Sequence, residues 1–272
     1  MEVTSPPEPG KLADIHSAYA FQSPAVSIIM PSYNCAAFIP AAIQSVIDQS
    51  FTDWELIVVD DGSTDASLDI IQSFARADAR IRPVCSATNR GAAGARNDAL
   101  ALARGRFIAF LDSDDLWKPE KLARQLAFMD QHGVAFCFTS YERISEDGRL
   151  VGTVRVKSPV SYPQLLRGNV IGCLTVVYDT KILGKVEMPN VPKRHDYGLW
   201  LALLKKVDTA VPLPDILATY RLRKTSISAN KLSAAYHTWR LLRNTERLSL
   251  LPASYFFFRY AVFSVWSRYR PQ

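Results

Sequence analysis

Residues 107–117, FIAFLDSDDLW, run from an apolar stretch directly into Asp112, Asp114 and Asp115. Carboxylates crowded this closely repel one another, which favours the protonated form of each unless something positive sits among them. A divalent cation accounts best for the pattern. Hard ions such as Mg²⁺ or Mn²⁺ take carboxylate oxygens and commonly share the rest of their shell with substrate phosphates. The alternative is that DSDD caps a helix starting near Lys118, since Ser and Asp are favoured caps, although one acid suffices for that. A second acidic pair, Asp60 and Asp61, opens DDGSTD (60–65). Alone, this is a plausible tight turn. On the same rim as a metal site it becomes part of a nucleotide pocket.

Whether these groups share a rim depends on the elements that carry them. Short runs rich in Val, Ile and Phe at 25–30, 54–60, 81–85, 106–111 and 134–140 read as strands buried on both faces. Helical stretches lie between them at 36–49, 67–77, 93–105 and 118–133, with Gly105 and Gly133 where helix C-terminal glycines are expected. The alternation predicts an α/β fold with a mostly parallel central sheet and flanking helices. In such folds ligands bind beyond the C-terminal ends of the strands. The segments there are PSYN (31–34), DDGSTD (60–65), TNRGAAGAR (88–96) and DSDD (112–115). The stretch from about 145 to 190 reads as irregular, ahead of a helix at 196–207.

The totals bound the partners. A chain of 272 residues that is 48% hydrophobic can bury a sizeable core. Residues 1–24 read as a loose arm without the basic start and apolar run of a signal peptide, so no secretion is expected. Cys35, Cys85, Cys137 and Cys173 lack metal-site or disulfide-framework spacing, which fits a reduced, cytoplasmic setting. From Arg221 onward ten Lys or Arg face a single acid, Glu246, a charge of +9, so the remainder carries 6 − 9 = −3. An acidic body and a basic tail point to different partners for the two.

At this point four blocks in order, VSIIMPSYN, ELIVVDDGSTD, NRGAAGARN and FLDSDDLW, resemble the inverting family-2 glycosyltransferases with the GT-A, Rossmann-like nucleotide-sugar transferase fold. Within that family the chain is most similar to bacterial transferases that build surface or capsular polysaccharides, of the teichuronic acid type. The resemblance spans residues 25–230 as a catalytic domain, leaving 231–272 as a C-terminal helical extension. It implies that Pro31 and Tyr33 line the base pocket, with Tyr33 stacking on uracil. Asp61 would accept from the base, with Asp60 beside it, and Asn89 and Arg96 would lie near the sugar and diphosphate. Asp112 and Asp114 would form the DxD pair that holds Mn²⁺ or Mg²⁺, with Asp115 close by. In TYRLRKTSIS (219–228), Arg221 and Lys224 would close over the diphosphate, or else form a solvated basic loop.

Direct displacement at an anomeric carbon needs a base for the acceptor hydroxyl. The resemblance places it in KRHDYGLWLAL, which makes Asp196 the candidate, with a helix N-cap as the alternative. His195 stands where the family usually has Glu, and a lone His is more often a packing residue. The tail LPASYFFFRYAVFSVWSRYR (251–270) interleaves Tyr255, Phe256, Phe257, Phe258, Tyr260, Phe263, Trp266 and Tyr269 with Arg259, Arg268 and Arg270. It is short and charged for a membrane span and suits a helix lying among lipid headgroups; packing on the domain or against a second copy is the alternative. The expected partners are a UDP-sugar donor, a lipid-linked glycan acceptor and an anionic membrane surface at the inner face of the plasma membrane, and not nucleic acid.

Three rivals remain. A sugar-nucleotide pyrophosphorylase would want a Gly-rich, Arg-bearing loop after the first strand, and PSYNCAAF is not one. A phosphatase with a DxD nucleophile would carry it after the first strand, not the fourth. A catalytically inactive, membrane-recruited nucleotide-binding module would retain the pocket, with His195 as the mark of decay.

Overall fold

The computed structural model describes residues 23–223 and 231–269. The first half builds as the alternation requires. Strands β1 (Val26–Ser32), β2 (Trp54–Asp60), β3 (Ile81–Cys85) and β4 (Phe107–Phe110) alternate with helices α1 (Ile39–Ile47), α2 (Ser67–Ala77) and α3 (Gly91–Leu102). β1 lies between β2 and β4, and all three ladders among β1 to β4 are parallel. Their C-terminal ends therefore share one rim. The chain order reverses on either side of β1, the place where ligands bind in such sheets.

Burial on both faces explains the apolar runs. Ile29, Ile57, Val59, Ile108 and Phe110 belong to one core cluster, with Ala95 and Ala99 of α3. The alternate residues Ile28, Met30, Leu56, Val58 and Ala109 belong to a second, with Ile39, Ile43 and Val46 of α1. Each fully buried aliphatic side chain contributes about 1.5–3 kcal/mol of burial free energy.

Beyond β4 the sheet becomes mixed. The chain continues through β5 (Leu116–Trp117), α4 (Lys121–His132), β6 (Phe136–Ile144), β7 (Leu150–Val154), β8 (Val160–Ser161) and α5 (Tyr162–Leu166). It then makes a 3-10 turn at Cys173–Thr175, β9 (Val177–Asp179), α6 (Thr180–Leu183), α7 (His195–Leu203) and β10 (Thr209–Arg221). β9 is inserted antiparallel between β4 and β6, while β10 runs parallel to β6. The segment read as irregular thus holds the strand that bridges the two halves of the sheet. Three residues are too few to show a period.

Two helix boundaries differ from their sequence expectation for physical reasons. The helix after DSDD starts at Lys121, because Leu116 and Trp117 first pair with β10; DSDD therefore does not cap it. Gly133 ends α4 in the left-handed conformation, at φ 63°. Gly105 instead lies beyond Ala103, the extended C-cap of α3, and is needed for close approach: a Cβ there would lie 2.5 Å from the Ser27 nitrogen and 2.7 Å from the Val26 carbonyl carbon. Gly105→Ala is expected to lower stability by about 3 kcal/mol, since backbone cannot yield as a side chain does. Chemical denaturation reads this; a change below about 0.5 kcal/mol, the scale of an ordinary surface substitution, would remove the argument.

The C-terminal segment forms α8 (Lys231–Arg240), a π-helical turn (Leu241–Thr245) and α9 (Leu250–Tyr269). Leu241, Leu242 and Ala253 enter the first core cluster, and Trp239, Phe256 and Phe257 pack against it. Glu246, with its side chain only 1% exposed, accepts from Tyr162 at 2.5 Å and pairs with Lys205 at 2.6 Å. One face of the extension is thereby tied to the body. No helix among the described residues is long and apolar enough to cross a membrane.

Candidate active site

The loops after β1 and β2 are stitched together before any ligand is considered. Asp60 accepts from the Ser63 hydroxyl and amide at 2.5 and 3.0 Å, closing the DDGS turn around Gly62, whose φ is 78°. Asn34, itself left-handed at φ 46°, donates its amide to the Ser63 hydroxyl and accepts from the Thr64 amide. Asp61 accepts from the amides of Arg90 and Gly91 at 2.8 and 2.7 Å, anchoring the start of α3. An anion there also complements the helix dipole.

Over these loops opens a cavity of about 680 Å3, large enough for a nucleotide-sized ligand. Pro31, Tyr33, Asp61, Asn89, Arg96, Asp112, Asp114 and Asp196 all line it. Tyr33 is half exposed, its ring free for contact. Asp60, Asp115 and Arg221 lie behind the lining. Asp115 is fully buried and accepts from the Arg221 amide at 2.8 Å, while its other carboxylate oxygen has no hydrogen-bond partner among the described residues. Arg221 donates Nε to the Asp114 carbonyl at 3.0 Å and stacks over Phe38, bracing the loop that carries Asp114. Lys224, Arg270 and residues 1–22 of the N-terminal arm lie outside the described residues, as do the side chains of Phe263, Trp266, Arg268 and Tyr269.

Arg96 forms the floor. It is buried, with one terminal nitrogen on Asp112 and the other 2.6 Å from His195 Nε2. Burial opposes its charge, but Asp112 and, more weakly, Asp196 outweigh that and raise its pKa. His195 is held below the usual imidazole range by burial and then by Arg96. A guanidinium only donates, so His195 is neutral with Nε2 as acceptor and its proton on Nδ1. This histidine therefore positions Arg96.

Asp114 is pushed above the usual carboxylate range by burial and by Asp112, with Arg223 opposing. Arg223 pairs with Asp114 at 3.1 Å and lines the cavity. It was not among the sequence candidates. Its signal was the spacing Arg221-x-Arg223, which an extended chain places on one side. Lys193 and Arg194 were also missed, and both line the cavity beside Asp196. Asp196 sits in the first turn of α7, whose N-cap is Arg194, so it is not the cap.

Of the carboxylates that line the cavity, Asp112 and Asp114 are near neighbours, each paired with one guanidinium. No group of three or more His, Cys, Asp or Glu that could hold a metal occurs among the described residues. The donor set does not fit an all-protein cage. It does fit a hard divalent ion whose remaining ligands are diphosphate oxygens and water.

Comparison with known proteins follows the same lines. The family described as "Glycosyl transferase family 2" matches residues 27–178. A Bacillus subtilis (strain 168) protein named as a teichuronic acid biosynthesis glycosyltransferase, TuaG, is 46% identical over 88% of this chain and 95% of its own length. The Escherichia coli UDP-Glc:alpha-D-GlcNAc-diphosphoundecaprenol beta-1,3-glucosyltransferase WfgD is 43% identical over 80% of this chain and 85% of its own. Among solved structures, S. aureus TarS 1–349 in complex with UDP-GlcNAc superposes with a TM-score of 0.67 at 24% identity, covering 85% of this chain and 70% of that one. The Pyrobaculum calidifontis mannosyltransferase PcManGT in complex with GDP-Man and Mn²⁺ gives 0.64 at 19%, covering 88% and 69%. These two structures share the fold.

Proposed function

Because this chain belongs to glycosyl transferase family 2, we propose that it moves a sugar, with inversion, from a UDP-sugar to a lipid-diphosphate-linked glycan in bacterial cell-surface polysaccharide synthesis. One observation carries the reading. Residues from five separate segments, 31–34, 61, 89–96, 112–114 and 193–196, converge on a single cavity with a carboxylate pair at one place and Asp196 at another. The name of WfgD supports both the UDP-sugar donor and the diphosphoundecaprenol acceptor.

In this reading Tyr33 stacks on uracil and Asp61 accepts from the base. Asn89, Arg96 and Arg223 surround the sugar and diphosphate. Asp112 and Asp114 would hold a Mn²⁺ or Mg²⁺ ion together with the diphosphate, and that ion would offset charge on the leaving group. Asp196 takes the proton from the acceptor hydroxyl as that oxygen bonds to the anomeric carbon. The bond between that carbon and the β-phosphate oxygen breaks, its electron pair leaving on UDP, and this single displacement inverts the anomeric centre. The extension lies on an anionic membrane surface, with Leu251, Tyr255, Phe258 and Val262 of α9 exposed. In this reading the enzyme sits peripherally at the inner face of the membrane.

The test is incubation with UDP-glucose, UDP-GlcNAc and UDP-glucuronate in turn, Mn²⁺ and a GlcNAc-diphosphate lipid, followed by NMR of the product. A β-linked product from an α-linked donor supports the reading. Retained α stereochemistry, or no UDP released from any donor, would refute it.

A further inference from the structure

Basic side chains gather around the part of the cavity that holds Asp196. Lys193 and Arg194 line it, and Ala234 brings α8 to its rim. His237 and Arg240 lie further along the same helix. His237 stands three residues on from Ala234, one helical turn further along, and burial, with Lys193, Arg240 and Arg194 adding to it, holds its imidazole below the usual range. None of the four pairs with a carboxylate among the described residues. Arg194 has a left-handed backbone at φ 68° and donates to the Tyr260 hydroxyl of α9, while its buried Nε has no partner.

The donor's phosphates do not need these groups. In the reading above, Arg96, Arg223 and the ion held with Asp112 and Asp114 already surround those phosphates. Unneutralised cations gathered at one place fit a multivalent anion, and phosphate oxygens accept from ammonium and guanidinium donors alike. The neighbouring helix supplies the other half of the argument. Tyr260 faces Arg194, while Leu251, Tyr255, Phe258 and Val262 present an exposed apolar stripe. A ligand that joins a lipid chain, a diphosphate and a sugar would meet apolar stripe, basic cluster and Asp196 in turn.

We propose that Lys193, Arg194, His237 and Arg240 form a second anion site, separate from the donor's, that takes the diphosphate of the lipid-linked acceptor and presents its sugar to Asp196. The proposal rests on the transferase reading above and names how the acceptor is held. Phospholipid headgroups carry the same phosphate chemistry, so the test must separate the two sources.

The experiment uses the full chain and its Lys193→Gln/Arg240→Gln variant, both changes being at side chains that are at least partly exposed. Three probes are titrated: a short-alkyl GlcNAc α-diphosphate, the corresponding alkyl GlcNAc without phosphate, and phosphatidylglycerol vesicles. UDP with Mn²⁺ serves as the donor-site control. The wild type is expected to prefer the diphosphate probe over the phosphate-free one by about tenfold or more, the scale of a charge-assisted hydrogen bond. The variant is expected to lose that preference while keeping UDP affinity, melting temperature and most vesicle binding. Unchanged probe affinity in the variant overturns the proposal. An equal loss for vesicles and probe overturns it in favour of a headgroup site. A wild type that binds UDP but not the probe refutes the acceptor site and leaves the transferase standing; one that binds neither removes both. Should the double variant melt early, Lys193→Gln alone is read by the same criteria.

Discussion

Asp196→Asn is expected to lower kcat by about two to four orders of magnitude, the usual contribution of a positioned general base, and to leave UDP affinity within about twofold because uniform binding is untouched. The change is close to isosteric. Asp196 lies within the first turn of α7 and is not its cap, so Asn does not undo the helix start. The charge it removes is only a minor contributor to Arg96, whose main partner is Asp112. His195 cannot take over as base: its Nε2 already accepts from Arg96, and burial keeps it in the neutral form with Nδ1 protonated. His195→Gln, whose amide oxygen can accept from Arg96 in place of the imidazole nitrogen, is therefore expected to retain far more turnover than Asp196→Asn. Rapid-quench turnover with saturating donor gives both numbers. An Asp196→Asn enzyme within about fivefold of wild type, far short of a lost base, would mean the proton goes elsewhere.

The first half of the fold was legible because each strand there is a short run buried on both faces. Such a run states its own length, and parallel packing then fixes which residues lie on the rim. That is why the positions of Tyr33, Asp61, Arg96 and Asp112 on the cavity wall were legible from spacing and resemblance. The second half hid for local reasons. β10 contains Pro212 and Pro214, which lack amide donors and read as breakers, and the strand absorbs them through register shifts between Leu213 and Ala218. Arg223 follows two residues after the end of β10 at Arg221, so with that strand hidden its place beside Asp114 was hidden too. The tail carries two kinds of aromatic residue that sequence alone cannot separate. Phe256, Phe257 and Tyr260 turn toward the body, while Tyr255 and Phe258 face outward. Sorting them needs the rotation of α9, which Ala253 and the Arg194–Tyr260 contact fix.

Asp114→Ala is expected to abolish the gain in UDP affinity that Mn²⁺ brings, a gain set at about two orders of magnitude from several kcal/mol of charge stabilisation. The decisive quantity is a ratio, because the substitution has two opposed consequences. It removes one member of the pair, Asp112 and Asp114, with which Mn²⁺ would be held. It also frees Arg223, now paired with Asp114 at 3.1 Å, to approach the diphosphate directly. In chelator the variant should therefore bind UDP as tightly as wild type or somewhat more tightly, since a guanidinium without its carboxylate favours phosphate. With Mn²⁺ the order should reverse, because only the wild type gains. Arg223→Gln supplies the complement: it loses affinity in chelator and keeps a Mn²⁺ gain, as Asp114 is then unopposed. Calorimetry of the two variants and wild type, each with and without Mn²⁺, separates the cationic side chain from the ion. If Mn²⁺ strengthens UDP binding equally in wild type and Asp114→Ala, the ion is held elsewhere and Asp114 serves only to seat Arg223.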